Sequence, residues 1–226
     1  MKTISFETEE PVLASRKRVT PDEKASVREQ KKHLKRDRIK AAAKELFSRQ
    51  EYEKATVREI ASQAGVALGT ISLYARDKRD LILLAYNDDV TDMIARGAKA
   101  CRSDEPFEDN LIGFFQVFYE AYVANLQLAR TYLQVNFFSY GINSKALAQN
   151  RQRKLDVVAK IVRWGQRRRE VRADIKADII AMQLLLLHSS AVRTWVLEEH
   201  PSIVDGLIEM RKLIALQTQG LNPQSN

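Results

Sequence analysis

Residues 56–78 read TVREIASQAGVALGTISLYARDK, and this order of small, apolar and hydroxyl side chains predicts two short helices joined by a sharp turn. Thr56, with Glu59 three residues later, has the pattern of a capping box, which begins a helix. Gly65 supplies the left-handed backbone that ends it. A second helix, predicted over residues 67–74, turns Ile71 to the core and leaves these side chains partly or wholly exposed: Leu68, Thr70, Ser72, Leu73 and Tyr74. The stretch is typical of a helix-turn-helix, whose second helix enters the major groove of DNA.

The same stretch resembles the DNA-binding pattern of the TetR family of transcriptional regulators. The matching residues are, in order, Thr56, Ile60, Ala61, Ala64, Gly65, Val66, Gly69, Thr70, Ile71, Tyr74, Lys78 and Leu81. The resemblance covers the stretch from Arg36 to Leu84, and beyond it only length and helical layout agree. It implies an all-α fold, with an N-terminal three-helix DNA-binding domain and a larger C-terminal helical domain for ligand binding and dimerisation.

The resemblance also implies how DNA is held. Thr56 and Thr70 would contact phosphates, Gly69 would let the backbone approach closely, and Tyr74 and Lys78 would reach the phosphate backbone. Hydroxyls, cations and helix N-terminal amides are groups that bind phosphate oxygens. Base reading is then left to four side chains, of which only Ser72 forms hydrogen bonds and the others offer apolar contact: Ala67, Leu68, Ser72 and Leu73. Ala75 stands where the family usually has an aromatic, so looser packing is expected behind the second helix.

Composition and charge agree with a helical DNA-binding protein. The 226 residues include only 8 Gly and 5 Pro, 45% are hydrophobic and 29% are charged. The net charge is +8, and the stretch up to Asp80 holds 19 Lys and Arg against 13 Asp and Glu. A basic run there can lie against a phosphate backbone or form a solvated helix face: Lys31, Lys32, Lys35, Arg36 and Arg38. No sheet is expected, because few alternating stretches are bounded by turn residues.

Several classes of protein are disfavoured by what the sequence contains. Cys101 is the single cysteine, which excludes an intramolecular disulfide and a thiolate zinc site and fits a reducing cytoplasm. The longest apolar run, residues 179–187, is too short to span a bilayer. With 3 His, no Gly-rich phosphate loop and no identifiable nucleophile with its base, we predict a protein that is not an enzyme and needs no metal and no cofactor.

The predicted organisation has four parts. Residues 1–30 are expected to form a flexible arm, residues 31–88 the DNA-binding domain, residues 89–220 the helical effector-binding and dimerisation domain, and residues 221–226 a tail. Within the third part, helical spacing predicts a helix through Tyr132 and Tyr140 that stops at Gly141. Two long helices, about 174–199 and 202–219, are predicted to form the interface of a homodimer, since the first is apolar on more than one face.

The predicted effector pocket rests on aromatic residues in the third part. The candidate ligand-binding residues are Phe115, Phe118, Tyr119, Tyr122, Phe137, Trp164 and His188. Most periodic aromatics pack a core instead, and a histidine on an apolar helix is commonly a core residue. The basic run of residues 167–172 is assigned to a solvated turn, so no anionic ligand is predicted from it.

Three functions are consistent with this pattern. The first is a cytoplasmic repressor that leaves a palindromic double-stranded operator when a small-molecule effector binds, with the helix from Lys78 through Ile94 as the lever. The second is a DNA-bound adaptor that recruits a protein partner and senses no metabolite. The third is a helical enzyme acting on a nucleotide or acyl substrate. An internal cavity favours the first over the second, whereas turnover by the pure protein would favour the third.

Overall fold

The computed structural model describes residues 21–137 and 140–221, and the regular structure within these ranges is entirely α-helical. The helices are α1 (Pro21–Arg49), α2 (Val57–Gln63), α3 (Leu68–Ile71), α4 (Lys78–Ala100), α5 (Phe107–Ala124), α6 (Leu126–Val135), α7 (Ser144–Arg167), α8 (Ala177–Trp195) and α9 (Ile203–Leu221). The predicted all-α fold is confirmed over the described part of the chain. Among these helices, none is both long and apolar enough to cross a membrane.

The first three helices form a small head. Ile39, Ala43 and Phe47 on α1 are fully buried, and they pack with Ile60 of α2 and Ile71 of α3. This inward face belongs to the second half of α1 only. Helices α1 and α2 contact each other, as do α2 and α3, so the head is built around the turn between α2 and α3.

Helix α1 begins earlier than the sequence pattern predicted. Residues 21–30 were expected to belong to a flexible arm, yet they are the first turns of α1. The reason is local, because this stretch contains Glu, Lys, Arg, Gln and Ala, which are good helix formers. Residues 1–20, the rest of the predicted arm, lie outside the described residues, as do residues 222–226 of the predicted tail.

Helix α4 joins the head to the rest of the protein. It contacts α1 on one side and α5, α6 and α7 on the other, and most of its side chains from Asp80 to Ile94 are buried. The rest of the protein, α5 to α9, forms what we call the body. In the body, α5 contacts α7 and α9, and α8 contacts α7 and α9. One cluster of buried apolar side chains runs from Ile39 to Ile214, so the domain boundary near residue 88 stays a prediction.

The helix predicted through Tyr140 ends at Val135. Two arginines from other helices bind carbonyls at this end: Arg193 donates to the carbonyl of Leu133 at 3.3 Å, and Arg151 donates to the carbonyl of Asn136. Charged donors at the last carbonyls of a helix satisfy groups that a further turn would otherwise use. Gly141 is therefore not the end of this helix; it lies just before α7.

Candidate functional site

The turn between α2 and α3 has the predicted backbone. Thr56 caps α2, with its Oγ1 accepting from the Glu59 backbone N–H at 3.2 Å, and its own N–H donates to Glu59 Oε2 at 2.8 Å. The Thr56 hydroxyl also donates to Glu59 Oε2 at 2.7 Å, and this hydrogen bond, with the one from the Thr56 N–H, lowers the pKa of the exposed Glu59 carboxyl. Gly65 has a φ of +62°, in the left-handed region. The capping box and the left-handed glycine turn are both confirmed.

Most residues predicted to read DNA are exposed on or beside α3. Leu68 is 47% exposed and Leu73 is 73% exposed. Ala67, Gly69 and Ser72 are also exposed, and Thr70 is half-buried. Helix α3 covers only Leu68–Ile71, and the predicted remainder continues as turns. The result is a short projecting element with an apolar outer surface.

Tyr74 is not exposed as predicted. It is 8% exposed, and its hydroxyl donates to the carbonyl of Lys32 in α1 at 3.2 Å. Ala75 beside it is also buried, so this end of α3 packs into the head despite the missing aromatic. The tyrosine connects residues 42 positions apart, a pairing that local sequence does not encode. Its predicted contact with phosphate stays a prediction.

Lys78, the first residue of α4, is held by the loop between α1 and α2. Its Nζ donates to the carbonyls of Tyr52 at 2.7 Å, Ala55 at 3.1 Å and Glu53 at 3.4 Å. It also lies 4.2 Å from the centroid of the Tyr52 ring. An ammonium group has three protons, and here each has a carbonyl within reach. Lys78 thus braces the start of α4 against the head, and the phosphate contact implied for it stays a prediction.

Basic side chains on α1 add positive charge to the head. Lys31, Lys35, Arg36 and Arg38 on α1 take part in none of the ion pairs found among the described residues. Lys32 pairs only with Glu29, at 3.9 Å on an exposed surface. Unpaired exposed cations raise the local positive potential, which favours a polyanion. The head therefore has the electrostatic character of a nucleic-acid-binding surface.

A buried carboxylate ties the end of α3 to the start of α7. Asp80 on α4 is 1% exposed. Its Oδ2 accepts from the backbone N–H groups of Arg76 and Ile142, both at 2.8 Å, and its Oδ1 accepts from that of Asn143 at 2.9 Å. Gly141 lies so close that any Cβ there would overlap the carboxylate. This arrangement joins the head to the loop before α7.

Asparagines extend this connection along α4 and α7. Asn143 precedes α7 but does not cap it; its Nδ2 donates to the carbonyls of Tyr74 at 2.9 Å and Asp80 at 3.3 Å. Asn87 Nδ2 donates to the carbonyl of Asn143 at 3.1 Å, and Asn150 Nδ2 donates to the carbonyl of Asn87 at 2.8 Å. We call Asp80, Asn87, Asn143 and Asn150 the polar ladder. It runs from the end of α3 into the body.

A cavity of about 490 Å³ lies at the far end of the polar ladder, and Asn150 contributes to its wall. Residues of α4, α5, α6, α7 and α8 line it, together with Asn136 and Phe137 after α6. Much of the wall is apolar, including Leu133, Leu155 and Val192. This size and character are those of small-molecule sites.

Three of the seven predicted pocket residues line this cavity: Tyr122, Phe137 and His188. Phe115, Phe118 and Tyr119 are fully buried beside it, and their rings pack around the imidazole of His188, with the Phe115 centroid 4.1 Å away. Trp164 is not part of the wall and lies under Lys160. Six of the seven residues therefore lie together: three line the cavity, and three pack behind its wall.

The cations of the cavity, Arg151, Lys154 and Arg193, were not predicted from the sequence. A signal was present, because Lys154 follows Leu147 by seven residues and precedes Val158 by four, which places it on the inward face of α7. Charged residues on an inward face are uncommon unless they are paired. The basic run after α7 is separate and behaves as predicted, with Arg168 bound to Glu170 at 2.8 Å.

A larger groove of about 770 Å³ lies on the surface between α4 and α5. Charged side chains of both signs line it, among them Lys44, Asp89 and Glu120, and Lys44 already pairs with Asp89 at 2.6 Å. Its charges are thus partly satisfied within the protein, so the smaller cavity is the better candidate for a ligand.

A projecting α3 on a basic helix-turn-helix head, carried by a helical body with a cavity, defines a DNA-binding transcriptional regulator. Residues 39–85 match the family model described as "Bacterial regulatory proteins, tetR family". This stretch is therefore a DNA-binding domain of the tetR type, and the predicted resemblance is confirmed over this region. No curated protein sequence matches the chain significantly.

Solved structures share the fold over most of the chain. FadR from Bacillus subtilis in complex with stearoyl-CoA is 20% identical, with a TM-score of 0.64 over 82% of this chain and 98% of that one. FadR from Thermus thermophilus in complex with lauroyl-CoA is 19% identical, with a TM-score of 0.66 over 84% and 97%. A TetR regulator from Rhodococcus sp. RHA1 is 18% identical, with a TM-score of 0.63 over 82% and 96%. At these identities the likeness shows the fold.

Proposed function

We propose that the protein is a homodimeric repressor that binds a pseudo-palindromic operator through α3 and leaves it when a small molecule occupies the cavity. The observation that carries the proposal is the continuity of the polar ladder, from the carbonyl of Tyr74, three residues after α3, to Asn150 in the cavity wall. A ligand that moves α7 changes the support of α3. The cavity favours effector sensing over a protein-recruiting adaptor. Because the proposed operator DNA lies in the cytoplasm, the protein is proposed to act there.

Operator reading is supported by the exposed surface around α3. Leu68 and Leu73 offer apolar contacts to thymine methyls, and the Ser72 hydroxyl, which donates to the carbonyl of Gly69 at 2.8 Å, still has lone pairs for a base donor. Ala67 and Gly69 carry little side chain, so the backbone at the start of α3 can approach DNA closely. We assign base reading to Ala67, Leu68, Ser72 and Leu73, and phosphate contacts to Thr56 and Thr70.

Gly69→Ala tests this assignment with little effect on the fold. A Cβ at Gly69 meets no atom within 4 Å, so the variant is expected to fold with unchanged or slightly higher stability. The added methyl group would stand between the backbone and DNA, and operator affinity is expected to fall about tenfold, or 1.4 kcal/mol. Gly113→Ala on α5 is the matched control, because its Cβ also meets open space. Fluorescence anisotropy with a selected genomic fragment measures both; equal affinities in the two variants would contradict the assignment.

Dimerisation through the last two helices is supported by their outer faces. Ile179, Met182 and Leu186 form an exposed apolar stripe on α8, and Val204 and Ile208 are exposed on α9. Neighbouring apolar stripes of this kind are characteristic of protein interfaces. A symmetric pair presents two copies of α3 to the two half-sites of an operator.

Ile179→Lys is expected to convert the dimer to a monomer, because a lysine in the centre of an apolar interface loses its hydration without a partner. Operator affinity is expected to fall at least about tenfold, since one half-site is then bound alone. Val123→Lys, on the exposed part of α5, is the control. Analytical ultracentrifugation gives the oligomeric state, and a dimer of unchanged stability in Ile179→Lys would reject this interface.

A further inference from the structure

The cavity contains a group of cations with no acidic partner. Arg151 and Lys154 on α7 and Arg193 on α8 all line it. Among the described residues of its wall there is no Asp or Glu. None of these three cations takes part in the ion pairs that the described residues form. The cavity therefore has a strong positive potential of its own.

Each cation is held by neutral groups. Arg193 donates to the carbonyl of Leu133 at 3.3 Å, to Asn136 Oδ1 at 2.8 Å and to Ser189. Arg151 donates to the carbonyl of Phe137 at 3.2 Å. Lys154 Nζ lies 4.4 Å from the centroid of the Phe118 ring. Neutral acceptors and aromatic faces orient a cation but compensate its lost hydration only in part.

The pKa values of the groups around the cavity agree with this excess of positive charge. Burial, reinforced by repulsion from Arg193 and Arg151, lowers the pKa of Lys154 to about 8. Burial and the same kind of repulsion hold the pKa of His188 well below its ordinary value, so its imidazole is neutral. The other titratable groups that face this region are Tyr122 on α5 and Tyr132 on α6, whose pKa values are raised by burial. No facing group supplies a negative charge at neutral pH.

His188 adds a second polar feature. Its side chain is 4% exposed, and its Nε2 has no hydrogen-bond partner among the described residues. The ring is fixed by stacking on Phe115, with centroids 4.1 Å apart. A buried imidazole nitrogen without a partner is costly, and a ligand atom in the cavity would satisfy it.

We propose that the effector is an amphipathic anion whose acidic head group is bound by Arg151, Lys154 and Arg193. The apolar body of this ligand lies along the other wall of the cavity, formed by Val90, Leu133, Leu147, Leu155, Leu185 and Val192. This inference rests on the proposed effector site and specifies the chemical class of the effector. A carboxylate and a phosphate share the charge and the acceptor geometry that arginine and lysine recognise.

Three probes with the same tail test the charge requirement on the full-length protein. Decanoate, decyl phosphate and decanol are titrated by isothermal calorimetry at pH 7. We expect at least one of the two anions to bind at least about tenfold more tightly than decanol, and the order of the two anions identifies the head group. Equal binding of all three, tighter binding of decanol, or no binding by either anion overturns the proposal.

Substitutions of Lys154 locate the binding site. Lys154→Met is expected to abolish the preference for the anion and to raise the midpoint of thermal unfolding by a few degrees, because a buried charge next to like charges is removed. Lys154→Arg is expected to keep the preference. Lys145→Met, an exposed lysine on the same helix, is the control and should change neither quantity. An unchanged preference in Lys154→Met places the anion elsewhere and overturns the assignment.

The pH dependence gives an independent measurement. A bound anion stabilises protonated Lys154 and raises its pKa above about 8, so binding takes up a proton and weakens as the pH rises through that value. Decanoate affinity is expected to fall about tenfold between pH 7 and pH 9 in the wild type and to stay nearly constant in Lys154→Met. A flat profile in the wild type counts against Lys154 as the anion-binding group.

Failure of this inference is distinguishable from failure of the proposed function. Calorimetry measures anion binding without DNA, whereas anisotropy measures release of the operator. If an anion binds through Lys154 but does not release DNA, the ligand class stands and the release mechanism falls. If no anion binds while the operator is still bound, the ligand class falls and the DNA-binding function stands.

Discussion

Replacement of Asp80 by asparagine is expected to lower the free energy of unfolding by about 3 kcal/mol, because it disrupts charge-assisted hydrogen bonds of a buried carboxylate. The two oxygens of Asp80 accept from the backbone N–H groups of Arg76, Ile142 and Asn143. An asparagine keeps one oxygen and turns an amide N–H₂ towards one of these donors. A buried donor facing a donor is left without a partner, and the loop before α7 loses its attachment to the head.

Asp77→Asn is the matched control for this prediction. This variant makes the same change from carboxylate to amide, but on an exposed side chain three residues earlier. Asp77 caps α4, because its Oδ1 accepts from the Asp80 backbone N–H at 2.9 Å. Asparagine caps a helix about as well as aspartate, so only a few tenths of a kcal/mol are expected. Urea unfolding followed by circular dichroism measures both variants, and similar losses in the two would show that the three hydrogen bonds are not the source of the stability.

Replacement of Lys78 by methionine is expected to lower the free energy of unfolding by about 2 kcal/mol, with a loss of operator affinity that follows from the displaced α4. Methionine keeps the length and much of the apolar contact with Tyr52. It removes the ammonium group that binds the carbonyls of Tyr52, Glu53 and Ala55. Arg79→Met, the exposed neighbour, is the control, and a change within about 0.5 kcal/mol is expected there.

The salt dependence of operator binding separates the two roles of Lys78. A direct phosphate contact contributes about −0.9 to the slope of log affinity against log salt, so its removal makes the slope less steep by that amount. Since the three protons of Lys78 already have carbonyl acceptors, we expect the slope of Lys78→Met to match the wild type while the affinity falls. A slope less steep by about 0.9 would instead support the phosphate contact that the family resemblance implies.

The features that sequence predicted well are those encoded over a few neighbouring residues. The capping box of Thr56 and Glu59 and the left-handed Gly65 were predicted because each depends on contacts within one helical turn. The exposure of Leu68 and Leu73 was also predicted from the short stretch around Ile71, the residue assigned to the core. The presence of helices was predictable, whereas their ends were less so. Helix α6 ends before the predicted residue, and α1 begins before the predicted residue.

The features that sequence missed depend on residues far apart in the chain. Tyr74 is buried because α1 passes over it, and Lys78 faces carbonyls 23 to 26 residues earlier. In the sequence, Asp80 is an ordinary acidic residue in the first turn of a helix. It connects α4 with the loop before α7 only because the backbone N–H groups of residues 142 and 143 approach it in the folded protein. The cations of the cavity come from two helices, and their shared lack of acidic partners is a property of the assembled wall.

The sequence by itself determined a helical protein with a helix-turn-helix near its N-terminus, because capping, glycine conformation and apolar periodicity act within a turn or two of helix. The tertiary structure alone decided which polar residues are buried, which of them connect the end of α3 with α7, and which charge the cavity presents. These properties arise where helices distant in sequence exclude water together, and the free energy of a charge or a hydrogen bond there depends on every group that shares the enclosure.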